Sequence, residues 1–405
     1  MTLFMPNSNR KLQSHGKTKP SAYFCTIGLT SLILLVALVT LNYQVDPYFI
    51  HQWDSPLLQR LSPAQQKIMP WAKTYAAYRY QPEVVYLGSS RTEIGLPADS
   101  PLFAGRRVFN LAISGASVGD AVNMLKHTAS FHQPKVAVWG LDYGWQFREK
   151  TGNTDFNTEL VADGPYYPLR RTYLNIKRSF SLAMTGDALG IVTGQSEKSC
   201  LPLSAYFGHK SWQCLEIIMK NEGGTRKAFE EVQKKKEPLG KPEDTAATIR
   251  LLDRVVEEYC RNDTVFRLYI QPIHALAELS YWHTLEEDVD NWKRALTVMT
   301  ENRRQQGCDI RLVDFSGFNP ITTEEIPQAT GKETMQHYWE QSHYRSEVGL
   351  KILQELLAPQ NTSSPDETFG VELRSDTIEE SIGNYHRSRQ RYMAEHPEEI
   401  SNLRK

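Results

Sequence analysis

Three short segments contain side chains of the types used in nucleophilic catalysis. Gly88-Ser89-Ser90-Arg91 places two hydroxyls after a small residue, and Asn110 to Gly115 (NLAISG) is rich in small residues. Glu340-Gln341-Ser342-His343 places a carboxylate three residues before a histidine. A histidine oriented by a carboxylate can act as general base to a serine hydroxyl, while backbone N–H groups stabilise the oxyanion. These residue types suit acyl transfer through a serine ester.

Each segment also has a structural interpretation without chemistry. A Ser-rich turn can open a helix or bind an anion with its backbone, and strand-to-helix turns often use small residues. Glu340 with His343 can be an ordinary surface pair. Arg91 can hold an anionic substrate group or pair with an acid. His274 can bind substrate, carry a proton, pack in the core or face solvent. The sequence alone leaves these alternatives open.

The segments lie at the ends of predicted strands, the third directly before the last predicted core helix. Short apolar runs typical of strands covered on both faces occur at 84–88, 107–113, 135–141, 264–270 and 309–315. Helical spacing occurs at 118–131, 243–259, 285–306 and 346–357, the first with a capping box from Ser117 and Asp120. The alternation predicts an α/β fold with a doubly wound, parallel, five-stranded sheet. Its site is expected at the carboxyl ends of the strands.

Together the three segments resemble the motifs of the SGNH (GDSL-like) hydrolase superfamily, particularly its membrane-anchored branch near cell-envelope polysaccharide and teichoic-acid modification. The resemblance covers roughly residues 82–358 and implies a flavodoxin-like sheet of the SGNH type. Asn110 would begin the second family motif. The resemblance implies Ser90 as nucleophile, His343 as base and Glu340 as the acid that orients the base.

The chain departs from the family pattern at several positions. Ser89 stands where the family has Asp, Ala112 where it has Gly, and Glu340 where it has Asp. Asp142 follows the third strand, where the family supplies an Asn to the oxyanion hole; an ionised Asp142 would repel an oxyanion unless it is protonated or points elsewhere. Backbone N–H groups near Ser90 and Ala112 are then expected to form the hole. The candidates for the oxyanion hole or substrate binding are Ala112, Asn110, Asp142, Arg91 and His274.

The uncharged apolar stretch from Tyr23 to Leu41 predicts a transmembrane helix, because a rise of about 1.5 Å per residue lets it cross about 30 Å of hydrocarbon. Basic residues precede it and acidic residues follow it, which predicts a cytoplasmic N-terminus and an exported domain. A cleaved signal peptide is the alternative, but no small-x-small site ends the stretch. With the family resemblance, the expected location is a bacterial inner membrane, with the C-terminal domain periplasmic or extracellular.

These features divide the chain into five parts. They are a cytoplasmic segment 1–20, a transmembrane anchor 21–43, a connector 44–80, an α/β domain 81–358 and a polar tail 359–405 with a helical stretch at 376–396. An insertion at about 150–240 is a candidate cap over the site. Of five cysteines, Cys25 lies in the anchor. The other four allow three pairings, of which Cys260–Cys308 and Cys200–Cys214 are preferred.

Composition narrows the possible functions. The net charge is −1 with acidic and basic residues balanced, which argues against nucleic-acid binding. The sequence has no CxxC spacing, so no zinc site is predicted. Acyl transfer through a serine ester needs no cofactor. The expected partners are the lipid bilayer, a carbohydrate substrate and envelope proteins. The expected function is an extracytoplasmic serine esterase or O-acyltransferase acting on envelope or exported polysaccharide. The alternative is a non-catalytic glycan-binding partner in a polysaccharide assembly or acetylation complex.

Overall fold

Strands and helices alternate along most of the chain, as the sequence predicts. The computed structural model describes residues 20–47, 50, 69–144, 146–147, 158–193, 224–227, 229, 242–282, 285–327, 335–359 and 369–398. The strands are β1 (Val84–Leu87), β2 (Val108–Asn110), β3 (Val136–Leu141), β4 (Val265–Ile270), β5 (Ile310–Asp314) and β6 (Val371–Glu372). The longer helices are α1 (Pro20–Val45), α2 (Met69–Tyr80), α3 (Ser90–Gly95), α4 (Val118–Ala129), α5 (Tyr167–Ser179), α6 (Leu182–Val192), α7 (Pro242–Cys260), α8 (Ala275–Trp282), α9 (Glu286–Gln305), α10 (Ser346–Leu357) and α11 (Ile378–Glu395).

The strands form one sheet in the order β2-β1-β3-β4-β5-β6. The first five are parallel, and β6 is antiparallel to β5. The prediction of five strands is therefore wrong. β6 has two residues, too few to show periodicity, and it lies in the segment predicted as a polar tail. Glu372 fixes it to the sheet by accepting from Nε of Arg311 at 2.8 Å. The sheet thus extends beyond the predicted limit at residue 358.

Different helices cover the two faces of the sheet, because alternate side chains of a strand point to opposite faces. Leu87, Trp139 and Leu268 pack on one face in a cluster that includes α4, α7 and α9. Tyr86 and Tyr269 pack on the other face with α10. Burial on both faces explains why these strands are continuous apolar runs. The result is a rigid sheet that positions the loops at its carboxyl edge.

The predicted core helices correspond to α4, α7, α9 and α10. The capping box of α4 is confirmed: Oγ of Ser117 accepts from the N–H of Asp120 at 3.1 Å, and the Asp120 carboxylate accepts from the N–H of Ser117 at 2.9 Å. The predicted Cys260–Cys308 disulfide is present and joins the end of α7 to the segment before β5. The other preferred pair, Cys200–Cys214, lies outside the described residues.

The helix α1 has 26 residues and is apolar enough to cross a membrane, and its most apolar part is not buried by the rest of the chain. This indicates a single-pass membrane or signal-anchor protein.

Within the predicted insertion, α5 and α6 pack against α1, α2 and α4. Arg171 of α5 donates to Oγ1 of Thr74 in α2 at 2.9 Å, and Tyr167 packs edge-on against His127 of α4. Residues 194–223 and 230–241, which belong largely to the expected cap, lie outside the described residues.

Candidate active site

Ser90 is positioned by a sharp turn between β1 and α3. Gly88 in this turn has a φ of +146°, which side chains rarely allow, and a Cβ there would collide with the side chain of Thr92. Ser89 is extended, and α3 begins at Ser90, which is half-buried. A strand–turn–helix of this kind can present a hydroxyl above the edge of a sheet.

Glu340 and His343 lie on a narrow loop directly before α10. The loop is closed by an antiparallel bridge between Tyr338 and Tyr344, and the N–H of Trp339 donates to the carbonyl of His343 at 2.9 Å. Both rings of the tyrosine pair are fully buried, so the base of the loop is fixed to the core. This closure brings the two polar side chains to the same side of the loop.

Ser90, His343 and Glu340 form one continuous chain of hydrogen bonds. Oγ of Ser90 lies 2.7 Å from Nε2 of His343, and Nδ1 of His343 bonds Oε1 of Glu340. Glu340 also accepts the backbone N–H of His343 at 2.7 Å and of Ser342 at 3.2 Å. A carboxylate that accepts a hydrogen bond from Nδ1 favours the tautomer that carries its proton on Nδ1. In that tautomer Nε2 is unprotonated and can accept the serine proton.

The charges of this chain suit a general base. Burial opposes ionisation of Glu340, but the attraction of His343 and the hydrogen bonds from His343 and Ser342 outweigh it and lower the pKa of the carboxyl. An ionised Glu340 stabilises the imidazolium that forms when His343 takes up a proton. The His343 side chain is 24% exposed, so solvent and substrate can reach the ring.

A second polar cluster surrounds Asp142, which is 3% exposed. Its carboxylate accepts from Oγ of Ser89 at 2.5 Å, from Nε2 of Gln271 at 2.9 Å and from the guanidinium of Arg91. Burial disfavours the charge on Arg91, but the attraction and hydrogen bond of Asp142, together with the attraction of Tyr281 and Glu340, outweigh it and raise the pKa of the guanidinium. Nε of Arg91 also donates to Oγ of Ser342 at 3.0 Å. Asp142 is thus committed to an ion pair with Arg91, and Arg91 also connects the turn after β1 to the loop that carries Glu340.

His274 is packed in the core. Nε2 donates to the carbonyl of Glu324 at 2.7 Å, and Nδ1 accepts the N–H of Leu276 at 3.3 Å. Burial lowers the pKa of His274 to about 4, which keeps the ring neutral near pH 7. The backbone N–H of His274 donates to the carbonyl of Gln341 at 2.9 Å. His274 therefore supports the loop that carries Glu340 and has no ring nitrogen left for substrate.

Asn110 and Ala112 shape the loop after β2. Nδ2 of Asn110 donates to the carbonyls of Thr92 at 2.9 Å and Leu96 at 3.2 Å, and Asn110 is fully buried. Its Oδ1 accepts the N–H of Ala112 at 3.1 Å. The N–H that was expected in the oxyanion hole is therefore bonded to Asn110 instead.

Two parts of the site were not predicted. Gln271 directly follows β4, and that position at the carboxyl edge is the signal that could have identified it. Lys73 of α2 is fully buried, with Nζ 3.0 Å from Oε1 of Glu93, and it also bonds the carbonyl of Ala112. Oε2 of Glu93 accepts from Oγ of Ser114 at 2.6 Å. No sequence pattern in α2 indicates a buried charge, so the ion pair of Lys73 with Glu93 could not be predicted from the sequence.

A cavity of about 420 Å³ lies at the opposite edge of the sheet. Val136 and Val265, the first residues of β3 and β4, line it together with the paired Arg267 and Asp309. The length of the strands separates it from Ser90, so it lies apart from the candidate catalytic residues.

Comparison with known proteins identifies no relative: no family model matches the chain, and no curated protein is significantly similar to it. The interpretation of the site therefore depends on its own geometry.

Proposed function

We propose that this chain is a membrane-anchored serine esterase or O-acyltransferase of the SGNH type. The observation that carries the proposal is the hydrogen-bonded chain from Ser90 through His343 to Glu340, with 2.7 Å between Oγ and Nε2. The order of the parallel strands, β2-β1-β3-β4-β5, is that of flavodoxin-like sheets and supports the finer fold assignment. The site also lies at the carboxyl ends of the strands, where such folds bind ligands.

The proposed reaction has two steps. Oγ of Ser90 attacks the carbonyl carbon of an ester while its proton passes to Nε2 of His343. The tetrahedral intermediate collapses, the alcohol leaves with the proton from His343, and the acyl group stays on Ser90. His343 then deprotonates water or a sugar hydroxyl, which attacks the acyl-enzyme and releases an acid or a new ester. Glu340 stabilises the imidazolium in both steps.

Of the expected oxyanion donors, the backbone N–H near Ser90 is the one that supports the proposal. Asp142 offers an ion-paired carboxylate, and the N–H of Ala112 bonds Asn110. The N–H of Ser90 lies in the first turn of α3, where backbone N–H groups have no acceptor within the helix. In the proposed mechanism this N–H faces the developing charge.

The proposed location is the outer face of a bacterial inner membrane, with the N-terminus in the cytoplasm. Basic residues before α1, such as Lys17 and Lys19, and acidic residues after it, such as Asp46 and Asp54, support this orientation. A retained helix is favoured over a cleaved signal peptide because Asn42 of α1 is hydrogen-bonded to α5 and α6. The proposed substrates are O-acylated envelope or exported polysaccharides, which the family resemblance suggests.

A second candidate is a glycan-binding protein without catalysis, acting in a polysaccharide assembly or acetylation complex. Asp142 stands where the family supplies an Asn to the oxyanion hole, and its carboxylate is paired with Arg91. The N–H of Ala112 is bonded to Asn110. Neither position therefore offers an oxyanion donor, which favours the second candidate.

Ester turnover distinguishes the two candidates. Full-length protein in detergent micelles is given p-nitrophenyl acetate and O-acetylated polysaccharide, and released acetate is measured for wild type, Ser90→Ala and a remote control, Ser130→Ala. We expect turnover by wild type and the control and none by Ser90→Ala. Equal turnover by all three proteins contradicts the proposal. Polysaccharide binding without acetate release by the folded wild type supports the second candidate.

A further inference from the structure

The outward face of α5 is apolar although it lies on the surface. The exposed large apolar side chains of α5 and its two flanking residues, between 49% and 77% accessible, are Tyr166, Leu169, Tyr173, Ile176 and Phe180. Their spacing of three and four residues places them within an arc of about 80° at 3.6 residues per turn. α6 continues the surface with Leu182 and Leu189, 78% and 48% exposed. Soluble surfaces rarely leave a contiguous stripe of this size uncovered, so the stripe indicates a binding face.

The α5–α6 hairpin (residues 167–192) is fixed to the end of α1. Asn42, which is fully buried, donates to the carbonyl of Ser179 at 2.7 Å and to Oγ1 of Thr185 at 3.0 Å. Val45 of α1 packs with Ala188 and Ile191 of α6. The bond to Ser179 satisfies a carbonyl in the last turn of α5, which lacks an N–H donor within its own helix. The hairpin and the end of α1 therefore form one packed unit.

The length of α1 determines the depth of this packed unit relative to the bilayer. Its 26 residues span about 39 Å at 1.5 Å per residue, whereas a hydrocarbon core is about 30 Å thick. If the uncharged stretch fills the core, the turn that contains Asn42 and Val45 lies in the headgroup region. The hairpin packs on that turn, so it lies at the same level.

The polar residues of the hairpin fit a lipid surface. Lys177 is exposed, and it borders the apolar stripe on the same side as Arg170. Basic residues beside an apolar helix face are typical of helices that lie in the membrane interface, where they contact lipid phosphates. Asp187, the exposed acid of α6, lies about 140° around the helix from Leu182 and hence away from the apolar direction.

We propose that the α5–α6 hairpin is a second membrane-binding element, which inserts its apolar stripe into the leaflet where α1 ends. The partner is the lipid surface itself, because the hairpin packs on the end of a helix that is apolar enough to cross the bilayer. The hairpin holds the α/β domain at a fixed height and orientation instead of leaving it on a flexible tether. This inference is independent of the chemistry at Ser90.

Lipid contact can be measured on the full-length protein in vesicles of phosphatidylethanolamine and phosphatidylglycerol. In a Cys25→Ser background, Tyr173→Cys on the stripe and Lys126→Cys on α4 each carry an NBD fluorophore, and the signal of the unsubstituted background is subtracted. Leu169→Cys is a second stripe position, in case Tyr173→Cys does not fold. Quenching by nitroxide-labelled lipids and by aqueous iodide is then compared.

We expect lipid nitroxides to quench the stripe positions several-fold more than position 126, and iodide to show the reverse order. Stripe positions that iodide quenches as strongly as position 126 would overturn the proposal, because the face would then be in water. Protection from both quenchers would also overturn it, since the face would then be covered by protein.

Discussion

Ser89 and Ser90 are adjacent, carry the same hydroxyl and have opposite surroundings. Ser89 is 8% exposed and donates to Asp142, a carboxylate already paired with Arg91. Ser90 is half-buried and donates to Nε2 of His343, an imidazole whose Nδ1 is bonded to Glu340. An ion-paired carboxylate is a weak base for a hydroxyl, whereas a histidine held by Glu340 is an effective one. The partner of each serine, rather than its type, separates a structural role from the proposed catalytic one.

The largest expected effect is on ester turnover, when His343, the proposed general base for Ser90, is removed. His343→Ala should lower kcat/KM for ester hydrolysis by about 10⁴-fold or more, because no other described group lies ready to take the Ser90 proton. Combining it with Ser90→Ala should add little, since residues that act as one unit are not additive. Steady-state kinetics of both variants and their combination test this. Losses that multiply in the double variant would show that the two residues act separately.

The next effect is on stability, at the partner of Ser89. Asp142→Ala should destabilise the fold by about 3–5 kcal/mol, because it leaves the Arg91 guanidinium buried and unpaired. Urea unfolding followed by circular dichroism measures the change. The double variant Asp142→Ala/Arg91→Met should recover part of the loss. A loss below about 1 kcal/mol for Asp142→Ala would mean that the ion pair does not hold the turn after β1 to the end of β3.

Two buried histidines, His274 and His127, should make the stability of the fold depend on pH. Burial lowers the pKa of His274 from 6.5 to about 4, so between these values the unfolded chain binds more protons than the folded one. Its contribution to stability is therefore complete above pH 6.5 and is lost as the pH falls towards 4, by about 3 kcal/mol in all. His127, also buried with a pKa lowered to about 4, adds a loss of the same sign.

Unfolding free energies at pH 7 and pH 4.5 measure this loss, with His274→Gln as the matched variant. The variant should lose less stability on acidification than the wild type, because glutamine does not titrate. Equal losses for the two proteins would show that His274 is not the group responsible.

The smallest effect is expected at Ser89 itself. Ser89→Ala should cost about 2 kcal/mol of stability, the typical value for a hydrogen bond to a charged group, and should keep most of the ester turnover. Thermal unfolding and the acetate assay measure both quantities. A loss of turnover as deep as that of Ser90→Ala would remove the distinction between the two serines.

The sequence predicted the elements whose pattern is local. The five parallel strands were found because burial on both faces makes each a continuous apolar run, and Ser117 with Asp120 identified the start of α4. β6 was missed because two residues such as Val371 and Glu372 carry no periodicity; only the pairing with β5 defines them. The Cys260–Cys308 pair could be preferred because both residues end helical units just before neighbouring strands.

In the candidate site, position could be predicted but partners could not. Ser90 and His343 were placed at the same edge because they flank elements of one parallel sheet. The pairing of Asp142 with Arg91, and of the Ala112 N–H with Asn110, depends on distances across the assembled fold, which no local pattern encodes. The buried Lys73–Glu93 pair is the clearest case, because an isolated lysine in a sequence predicts exposure.

The most direct test of the account is to map where a fluorophosphonate probe reacts, because such probes modify only activated serine hydroxyls. Full-length wild type, Ser90→Ala and Ser89→Ala are treated with the probe, digested and analysed by mass spectrometry. We expect one adduct, on Ser90, which is absent in Ser90→Ala and retained in Ser89→Ala. No adduct on folded wild type, or an adduct on Ser89 or another serine, would contradict the assignment of Ser90 as nucleophile.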